Sequence, residues 1–259
     1  MSTLRWLAKA LLVLAVPLFL VTASVTWAVN DLRLYRNGFE KYEVSAVTGI
    51  TDADLMRVAG ELRRYFDSRR EPLSVRIPIY GVERELFNQR EVLHMRDVKS
   101  LVWGVYGVAA ASGAYILLSL LFATAGAVLE RRDSLRPVAR RLLWGSGLTA
   151  AFLALVGLAS LVSFDSVFLL FHKLSFANEF WQLDCPGDYL ICMFPGGFWV
   201  DATLSVGLRA FGAAVALGAL AGLALLWLPR GGGKRSARRR VPPRPASAKR
   251  PASARRGRR

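Results

Sequence analysis

The chain has 259 residues, of which 53% are hydrophobic, and its formal net charge is +16. Residues 229–259 carry 13 of the 35 basic residues and no acidic one, which leaves 22 basic against 19 acidic residues elsewhere. This terminal segment has too few apolar residues to form a core, and no aromatic residues that could stack on bases lie among its arginines. The composition therefore argues against specific nucleic-acid binding and indicates a membrane protein with a disordered basic tail.

Four long apolar runs divide the chain, at residues 11–29, 101–129, 142–162 and 204–228. Each is close to or longer than the about 20 residues that a helix needs to cross a hydrocarbon core of ~30 Å. Arg5 and Lys9 precede the first run, as in a secretory signal, but its core is too long and no clear cleavage site follows. We therefore predict an all-α membrane protein with four transmembrane helices and a small α+β cap.

The distribution of charge between these runs predicts the topology. Transmembrane helices are predicted at residues 1–29, 101–129, 142–162 and 201–228. Residues 130–141 contain five arginines, whereas residues 163–200 contain one basic residue, Lys173, against four acidic residues. By the positive-inside rule both termini face the cytoplasm, and the basic tail at 229–259 can touch anionic lipid headgroups. The segments are then an extracytoplasmic cap at 30–100, a cytoplasmic loop at 130–141 and an extracytoplasmic aromatic-rich loop at 163–200.

The cap carries local signals for helices and a strand. Thr51 followed by Asp54 is typical of a capping box, and the helix that it opens has an apolar face formed by Leu55, Val58, Leu62 and Phe66. Alternation with polar residues predicts a short strand whose inward residues are Leu73, Val75, Ile77 and Ile79. Asn88 with Glu91 predicts a second capping box, and its helix continues without a break into the second transmembrane span.

The chain has two histidines, and the predicted topology places both at the outer membrane boundary. On the helix that Asn88 opens, Arg90, His94 and Asp97 share one face, and a carboxylate three residues from a histidine can orient its imidazole. His172 follows the third apolar run within a dense set of aromatic residues. One such histidine is typical of an interfacial anchor. Two at one depth predict that the imidazoles converge on a lipid-accessible pocket.

The two cysteines, Cys185 and Cys192, lie in the predicted outer loop, with Pro186 and Gly187 between them. The sequence leaves open whether they form a disulfide. Two thiols without a CxxC pair are a weak signal for zinc, and we predict neither a metal site nor a cofactor.

Two stretches of the chain resemble the signature sequences of the bacterial lipoprotein intramolecular transacylase family. They are LFNQREVLHMRDVKSL at residues 86–101 and LFHKLSFANEFWQLDCPGDYLICMFPGGFW at residues 170–199. The resemblance implies a four-helix protein of the bacterial cytoplasmic membrane, with its active site on the extracytoplasmic face and with His94 and His172 as the catalytic pair. Family members move the sn-2 acyl chain of a diacylglyceryl-modified lipoprotein onto the amino group of its N-terminal cysteine. The product is a lyso-form lipoprotein.

The chemistry that this resemblance implies needs one imidazole as general base and the other as general acid. The pocket walls are predicted to be Phe176, Trp181 and Phe198. The supporting residues are predicted to be Arg90, Asp97, Lys99 and Asn178, of which Asn178 or Lys99 would stabilise the developing oxyanion. The alternative role for Lys99 is a snorkelling membrane anchor. Two features depart from the family pattern, namely the arrangement at residues 185–187 and the arginine-rich tail.

Two other functions are compatible with the sequence. A membrane lipid hydrolase would use the same histidines with water and release free fatty acid. A non-catalytic accessory protein would bind an extracytoplasmic partner, and replacing the histidines would leave its phenotype unchanged. The transacylase interpretation requires both imidazoles to reach one space, so rings more than about 12 Å apart would exclude it.

Overall fold

The computed structural model describes residues 2–79, 81–128 and 135–228. Within these ranges the chain forms eight α-helices and one two-stranded sheet. The elements are α1 (Ser2–Asn30), α2 (Leu32–Lys41), α3 (Val44–Thr48), α4 (Asp52–Phe66), β1 (Arg76–Ile79), β2 (Val82–Glu85), α5 (Gln89–Val128), α6 (Leu135–Ser175), α7 (Tyr189–Met193) and α8 (Gly196–Trp227). The predicted basic tail and residues 130–134 of the predicted cytoplasmic loop lie outside the described residues.

Four of the helices, α1, α5, α6 and α8, are long and apolar enough to cross a membrane. The chain is therefore a multi-pass membrane protein, and the predicted architecture of four spans with a small α+β cap is confirmed. Helix α5 contains 40 residues. At about 1.5 Å per residue it is about 60 Å long, roughly twice the hydrocarbon thickness. It therefore continues well beyond its membrane-spanning part.

Helix α1 packs against α5, α6 and α8, and α6 also packs along α8. Gly145 of α6 lies directly against α1, because a Cβ added at Gly145 would lie 2.6 Å from the side chain of Val16. Small residues at membrane helix interfaces let the backbones approach closely. Helix α8 follows the same rule with three buried alanines, Ala210, Ala214 and Ala221.

The cap between α1 and α5 has its own apolar core. The Thr51 hydroxyl accepts a hydrogen bond from the Asp54 amide at 3.2 Å, which confirms the first capping box. The predicted apolar face of α4 is buried in this core through Leu55, Val58, Leu62 and Phe66. Helices α2 and α3, which were not predicted, contribute Tyr35, Phe39 and Val44.

Only the second half of the predicted strand forms β1, in which Ile77 and Ile79 are fully buried. Leu73 and Val75 are also buried, but they lie before the strand begins. It pairs antiparallel with β2, from Arg76 opposite Glu85 to Ile79 opposite Val82. Strand β2 was not predicted, because all four of its residues are exposed and give no apolar alternation.

A reciprocal capping box opens α5, as predicted. The Glu91 amide donates to Asn88 Oδ1 at 3.1 Å, and the Asn88 amide donates to Glu91 Oε2 at 2.8 Å. Glu91 is 1% exposed, and its other carboxylate oxygen accepts a hydrogen bond from the Leu190 amide at 2.6 Å. Asn88 Nδ2 also donates to Asp188 at 2.7 Å. The beginning of α5 is therefore tied to the segment that contains α7.

Helix α6 is interrupted at Ser163, where φ is −160° and ψ is 98°. The Ser166 amide donates to Ser163 Oγ at 3.3 Å, which caps the helix that restarts here. Residues 164–175, the helical arm, carry His172. These residues were predicted to be part of a loop, since their largely apolar composition gives no contrast between helix faces.

Candidate active site

His94 of α5 and His172 of the helical arm lie side by side. Their ring centroids are 6.3 Å apart, and the ring planes are inclined by 30°. Both are buried, with exposed fractions of 7% and 8%. The convergence of two imidazoles predicted from the sequence is therefore present, well inside the limit of about 12 Å.

Aromatic side chains enclose His172 on several sides. The ring centroid of Phe168 lies 4.3 Å from that of His172, Trp181 lies at 5.2 Å, and Phe171 lies at 5.3 Å. Phe168 and Phe171 were not among the predicted wall residues. The spacing of four residues between Phe168 and His172 would have indicated their contact if the arm had been recognised as a helix.

Phe176 contacts both members of the histidine pair. Its ring centroid lies 5.1 Å from that of His94 and 5.6 Å from that of His172. Two of the three predicted wall residues, Phe176 and Trp181, are therefore at the histidine pair. The apolar rings shield the imidazoles from water and leave the site compatible with an acyl chain.

The orientation of the His172 ring is set by its own helix. Nδ1 lies 2.8 Å from the carbonyl oxygen of Phe168. A carbonyl oxygen only accepts hydrogen bonds, so Nδ1 carries a proton and Nε2 of the neutral imidazole keeps its lone pair. His172 is therefore arranged to accept a proton at Nε2.

His94 Nδ1 is buried and has no hydrogen-bond partner among the described residues. The prediction that Asp97 orients this imidazole is wrong. Asp97 Oδ2 instead accepts a hydrogen bond from Asn178 Nδ2 at 2.7 Å. The three-residue spacing places His94 and Asp97 on one helix face, but the carboxylate turns to the neighbouring segment. A buried ring nitrogen without a partner retains its hydrogen-bonding capacity for a bound molecule.

Asn178 connects α5 to the segment that covers His172. Its Oδ1 accepts a hydrogen bond from the Phe180 amide at 3.1 Å, and its carbonyl oxygen accepts one from Trp181 Nε1 at 2.8 Å. With the bond to Asp97, these contacts hold the Trp181 ring against the imidazole. Within the part of the chain that the structure describes, the second hydrogen of Asn178 Nδ2 has no acceptor.

Arg90 holds the same segment from the beginning of α5. Its guanidinium donates to the carbonyl oxygen of Gln182 and, at 3.5 Å, to that of Glu179. Arg90 therefore contacts the backbone on both sides of Trp181, and its supporting role in the reaction stays a prediction.

Lys99 belongs to the cap. It is 6% exposed, and its Nζ donates to the Arg70 carbonyl oxygen at 2.6 Å and to Glu71 at 3.0 Å. Nζ also lies 4.0 Å from the ring centroid of Tyr65, whose hydroxyl donates to Glu71. Burial and this hydrogen bond raise the pKa of Tyr65. Both predicted roles of Lys99, oxyanion stabilisation and snorkelling, are wrong, because the ammonium is engaged in tying α5 to the cap.

Phe198 is also part of the cap core, and its predicted role as a pocket wall is wrong. It is 4% exposed and packs against Phe194 at 5.0 Å, Trp199 at 5.5 Å and Tyr35 at 6.3 Å between ring centroids. Its neighbour Trp199 reaches the site indirectly, through a ring contact of 5.7 Å with Phe168.

Cys185 and Cys192 form a disulfide. The bridge joins the segment after Trp181 to α7, whose Leu190 amide is bonded to Glu91 of α5. Disulfides persist in oxidising compartments, so this bridge is consistent with an extracytoplasmic position of the segment.

An open groove of about 290 Å³ lies beside the histidine pair. Its lining combines polar and apolar residues from α5, the helical arm and the following segment: Asp97, Ser100, Leu101, Ser175, Phe176, Ala177 and Asn178. Phe176 belongs both to this lining and to the ring cluster around the histidines. Groove and imidazoles are therefore neighbouring parts of one site.

Comparison with known proteins gives a family and a fold. A family model described as lipoprotein intramolecular transacylase Lit matches residues 10–199, nearly three quarters of the chain. The chain is also 29% identical, over 128 residues, to an uncharacterised protein of Aquifex aeolicus. That alignment covers 49% of this chain and 53% of the relative, so it spans about half the length of the relative.

The fold is similar to solved structures of the membrane-integral lipoprotein intramolecular transacylase Lit from Bacillus cereus. One of them has a TM-score of 0.72 at 20% identity, with coverage of 87% of this chain and 97% of that chain. Another, in which a histidine is replaced by arginine, has a TM-score of 0.68 at 20% identity and covers 87% and 93%. At this level of identity the likeness establishes a shared fold.

Proposed function

The chain belongs to the lipoprotein intramolecular transacylase family, and on that premise we propose that it moves the sn-2 acyl chain of a diacylglyceryl lipoprotein to the α-amine of its N-terminal cysteine. The product is a lyso-form lipoprotein. The observation that carries this proposal is the pair of buried imidazoles 6.3 Å apart. The attacking nitrogen and the leaving oxygen are bonded to one carbon in the tetrahedral intermediate, so two imidazoles at this spacing can serve both atoms.

The hydrogen bond of His172 supports an assignment of roles to the two rings. His172 holds its proton at Nδ1 against Phe168, so its Nε2 takes the proton that the amine loses during attack. His172 passes this proton to the neutral ring of His94, whose Nδ1 has no partner among the described residues, and His94 donates a proton to the departing glyceryl oxygen. Both imidazoles are then neutral again. The ester carbon–oxygen bond breaks, an amide bond forms on the same molecule, and no acyl-enzyme is needed.

The aromatic residues around His172 make a second contribution to the rate, because they orient the substrate. Well-oriented intramolecular reactions reach effective molarities of about 10⁵–10⁸ M. Phe168, Phe171, Phe176 and Trp181 surround His172 with apolar surface. This surface favours a folded substrate in which the amine lies against its own sn-2 ester, and it excludes the water that would hydrolyse the ester.

Asn178 is the remaining candidate for stabilising the oxyanion, since Lys99 is engaged in the cap. One hydrogen of Asn178 Nδ2 is bonded to Asp97, and the other is left without an acceptor among the described residues. A positioned amide of this kind stabilises negative charge on a tetrahedral intermediate.

The proposed orientation places both termini in the cytoplasm and the site on the extracytoplasmic face of the cytoplasmic membrane. Arginine-rich residues at the beginning of α6 support it through the positive-inside rule. The Cys185–Cys192 disulfide supports an oxidising surrounding for the site. The basic tail would then lie on the cytoplasmic side, within reach of anionic lipid headgroups.

The proposal is tested in cells by expressing the protein in a bacterial strain without its usual lipoprotein N-acylating enzyme. Mass spectrometry of lipoprotein N-terminal peptides should then find cysteine with one N-acyl and one glyceryl-linked acyl chain. Diacylglyceryl cysteine with a free amine, in cells that contain the inserted protein, would contradict the proposal. Release of free fatty acid without N-acylation would identify a lipid hydrolase instead.

Variants of the two histidines test whether the N-acylated peptide is produced at this site. His94→Ala and His172→Ala should abolish the N-acylated peptide. Lys173→Gln changes the exposed neighbour of His172 on the same helical arm and should leave the product unchanged. An unaltered product in both histidine variants would favour a non-catalytic accessory role.

A further inference from the structure

The groove beside the histidines contains one carboxylate whose charge is not balanced by a cation. Asp97 is partly exposed and lines the groove with Ser100 and Ser175. Its Oδ2 accepts the hydrogen bond from Asn178, which is a neutral donor. Within residues 2–79, 81–128 and 135–228, no lysine, arginine or histidine forms an ion pair with it. Oδ1 is therefore available to a bound donor.

The position of this carboxylate relates the groove to the reaction. Asp97 and His94 are three residues apart on α5, so their side chains are neighbours on one helix face. Phe176 forms part of the groove and lies 5.1 Å from His94. A cationic group held at Asp97 is consequently about one helical turn along α5 from His94.

The substrate class of the proposed function contains one such group. A free α-amine has a reference pKa of about 8, so most of it arrives as an ammonium at neutral pH. The reaction converts this amine into an uncharged amide. Substrate and product therefore differ in charge at this atom.

We propose that Asp97 forms the subsite for the α-ammonium of the lipoprotein's N-terminal cysteine. This proposal rests on the proposed function, because that function defines the ligand. The carboxylate attracts the charged amine into the open groove beside His94. There the ammonium loses one proton to water, and the free amine attacks the ester while His172 takes the second proton. The carboxylate holds the amide product less tightly, which favours product release. No bond forms or breaks at Asp97, so it acts in binding.

The test measures binding without catalysis. Two synthetic peptides carry a dialkyl ether in place of the diacylglyceryl group, so that no acyl chain can move; one has a free N-terminal cysteine amine and the other is N-acetylated. Calorimetry with purified protein in detergent should show about tenfold tighter binding of the free amine, as expected for a hydrogen bond to a charged group. This preference should disappear as the pH rises above the pKa of the amine, about 8.

The decisive variant is Asp97→Asn, which retains an acceptor for Asn178 and removes the charge. It should bind both peptides equally at pH 7, while Asp97→Glu should recover part of the preference. Asp165→Asn removes an exposed carboxylate of the helical arm and should keep the full preference. A preference that survives in Asp97→Asn, or that is absent from the unaltered protein, would overturn the proposal.

The two proposals fail separately. If the unaltered protein prefers the free amine but transfers no acyl chain from an ester substrate, the proposed function fails and the subsite stands. If it transfers the acyl chain but binds both ether peptides equally, the subsite fails and the function stands.

Discussion

The imidazole of His172 donates a hydrogen bond from Nδ1 to the carbonyl oxygen of Phe168, one turn earlier in the same helix, at 2.8 Å. This contact fixes the tautomer of the neutral ring and leaves Nε2 as the acceptor. The contact requires helical backbone between Phe168 and His172, which the helical arm provides. The arm therefore contributes directly to the chemistry proposed for His172.

The histidine pair should behave as one catalytic unit. His94→Ala and His172→Ala should each lower the rate of acyl transfer by about 10²–10⁴-fold, the usual contribution of a general acid or base. The double variant should be no slower than the slower single variant by more than a few-fold, because residues that act together are not additive. Single-turnover rates on a diacylglyceryl lipopeptide measure this. A single variant with more than a tenth of the original rate would contradict it.

Trp181 should act through both its ring and its indole nitrogen. Trp181→Phe keeps an aromatic ring against His172 but loses the hydrogen bond to the Asn178 carbonyl. We expect a decrease in rate of about three- to tenfold, the equivalent of one ordinary hydrogen bond. Trp181→Ala also removes the ring and should be slower still. Trp144→Phe, at an exposed position of α6, is the matched control. A similar loss of rate in this variant would contradict the proposed role of Trp181.

Lys99 should affect stability and not catalysis. Lys99→Met removes the bonds to Glu71 and the Arg70 carbonyl while it keeps an apolar stem in the buried site. Thermal unfolding in detergent should show a loss of about 1–3 kcal/mol in the free energy of unfolding. The rate per folded molecule should stay within about twofold of the original value, far from the 10²-fold that an oxyanion donor contributes. A large loss of rate in fully folded protein would restore the oxyanion role.

Gly145 should tolerate no larger side chain. Gly145→Ala would place a methyl group 2.6 Å from the Val16 side chain and 2.8 Å from the Val13 carbonyl oxygen. The forced separation of α1 and α6 should cost about 1–3 kcal/mol of stability, as overpacking usually does. Gly147→Ala is the matched control. Gly147 lies two residues further along α6, and nothing lies within 4 Å of a Cβ added there. Equal unfolding temperatures for the two variants would show that the close helix contact is absent.

The spanning helices and much of the cap were predictable because their signals are local. Apolar runs of sufficient length determine membrane helices, and the capping boxes at Thr51 and Asn88 mark helix starts through contacts three residues apart. Strand β2 was not predictable in this way. Its residues are exposed, and only their pairing with β1 defines them as a strand.

The histidine pair was predictable from topology, but its surroundings were not. Lys99 and Glu71 are separated by 28 positions, and Phe198 faces the cap core through contacts with Tyr35 near the other end of the chain. Neither relationship follows from spacing along one element. The aromatic residues after the third span look alike in the sequence, so only their positions in the fold separate Phe168 at the site from Phe198 in the core.

The most direct measurement uses purified protein and a synthetic diacylglyceryl-cysteine lipopeptide whose sn-2 acyl chain carries an isotopic label. Tandem mass spectrometry of the product locates the label. An intramolecular transfer by the histidine pair predicts that the labelled chain becomes attached to the cysteine nitrogen of the same peptide, and that His172→Ala abolishes this product. Labelled free fatty acid with an unmodified amine would contradict it.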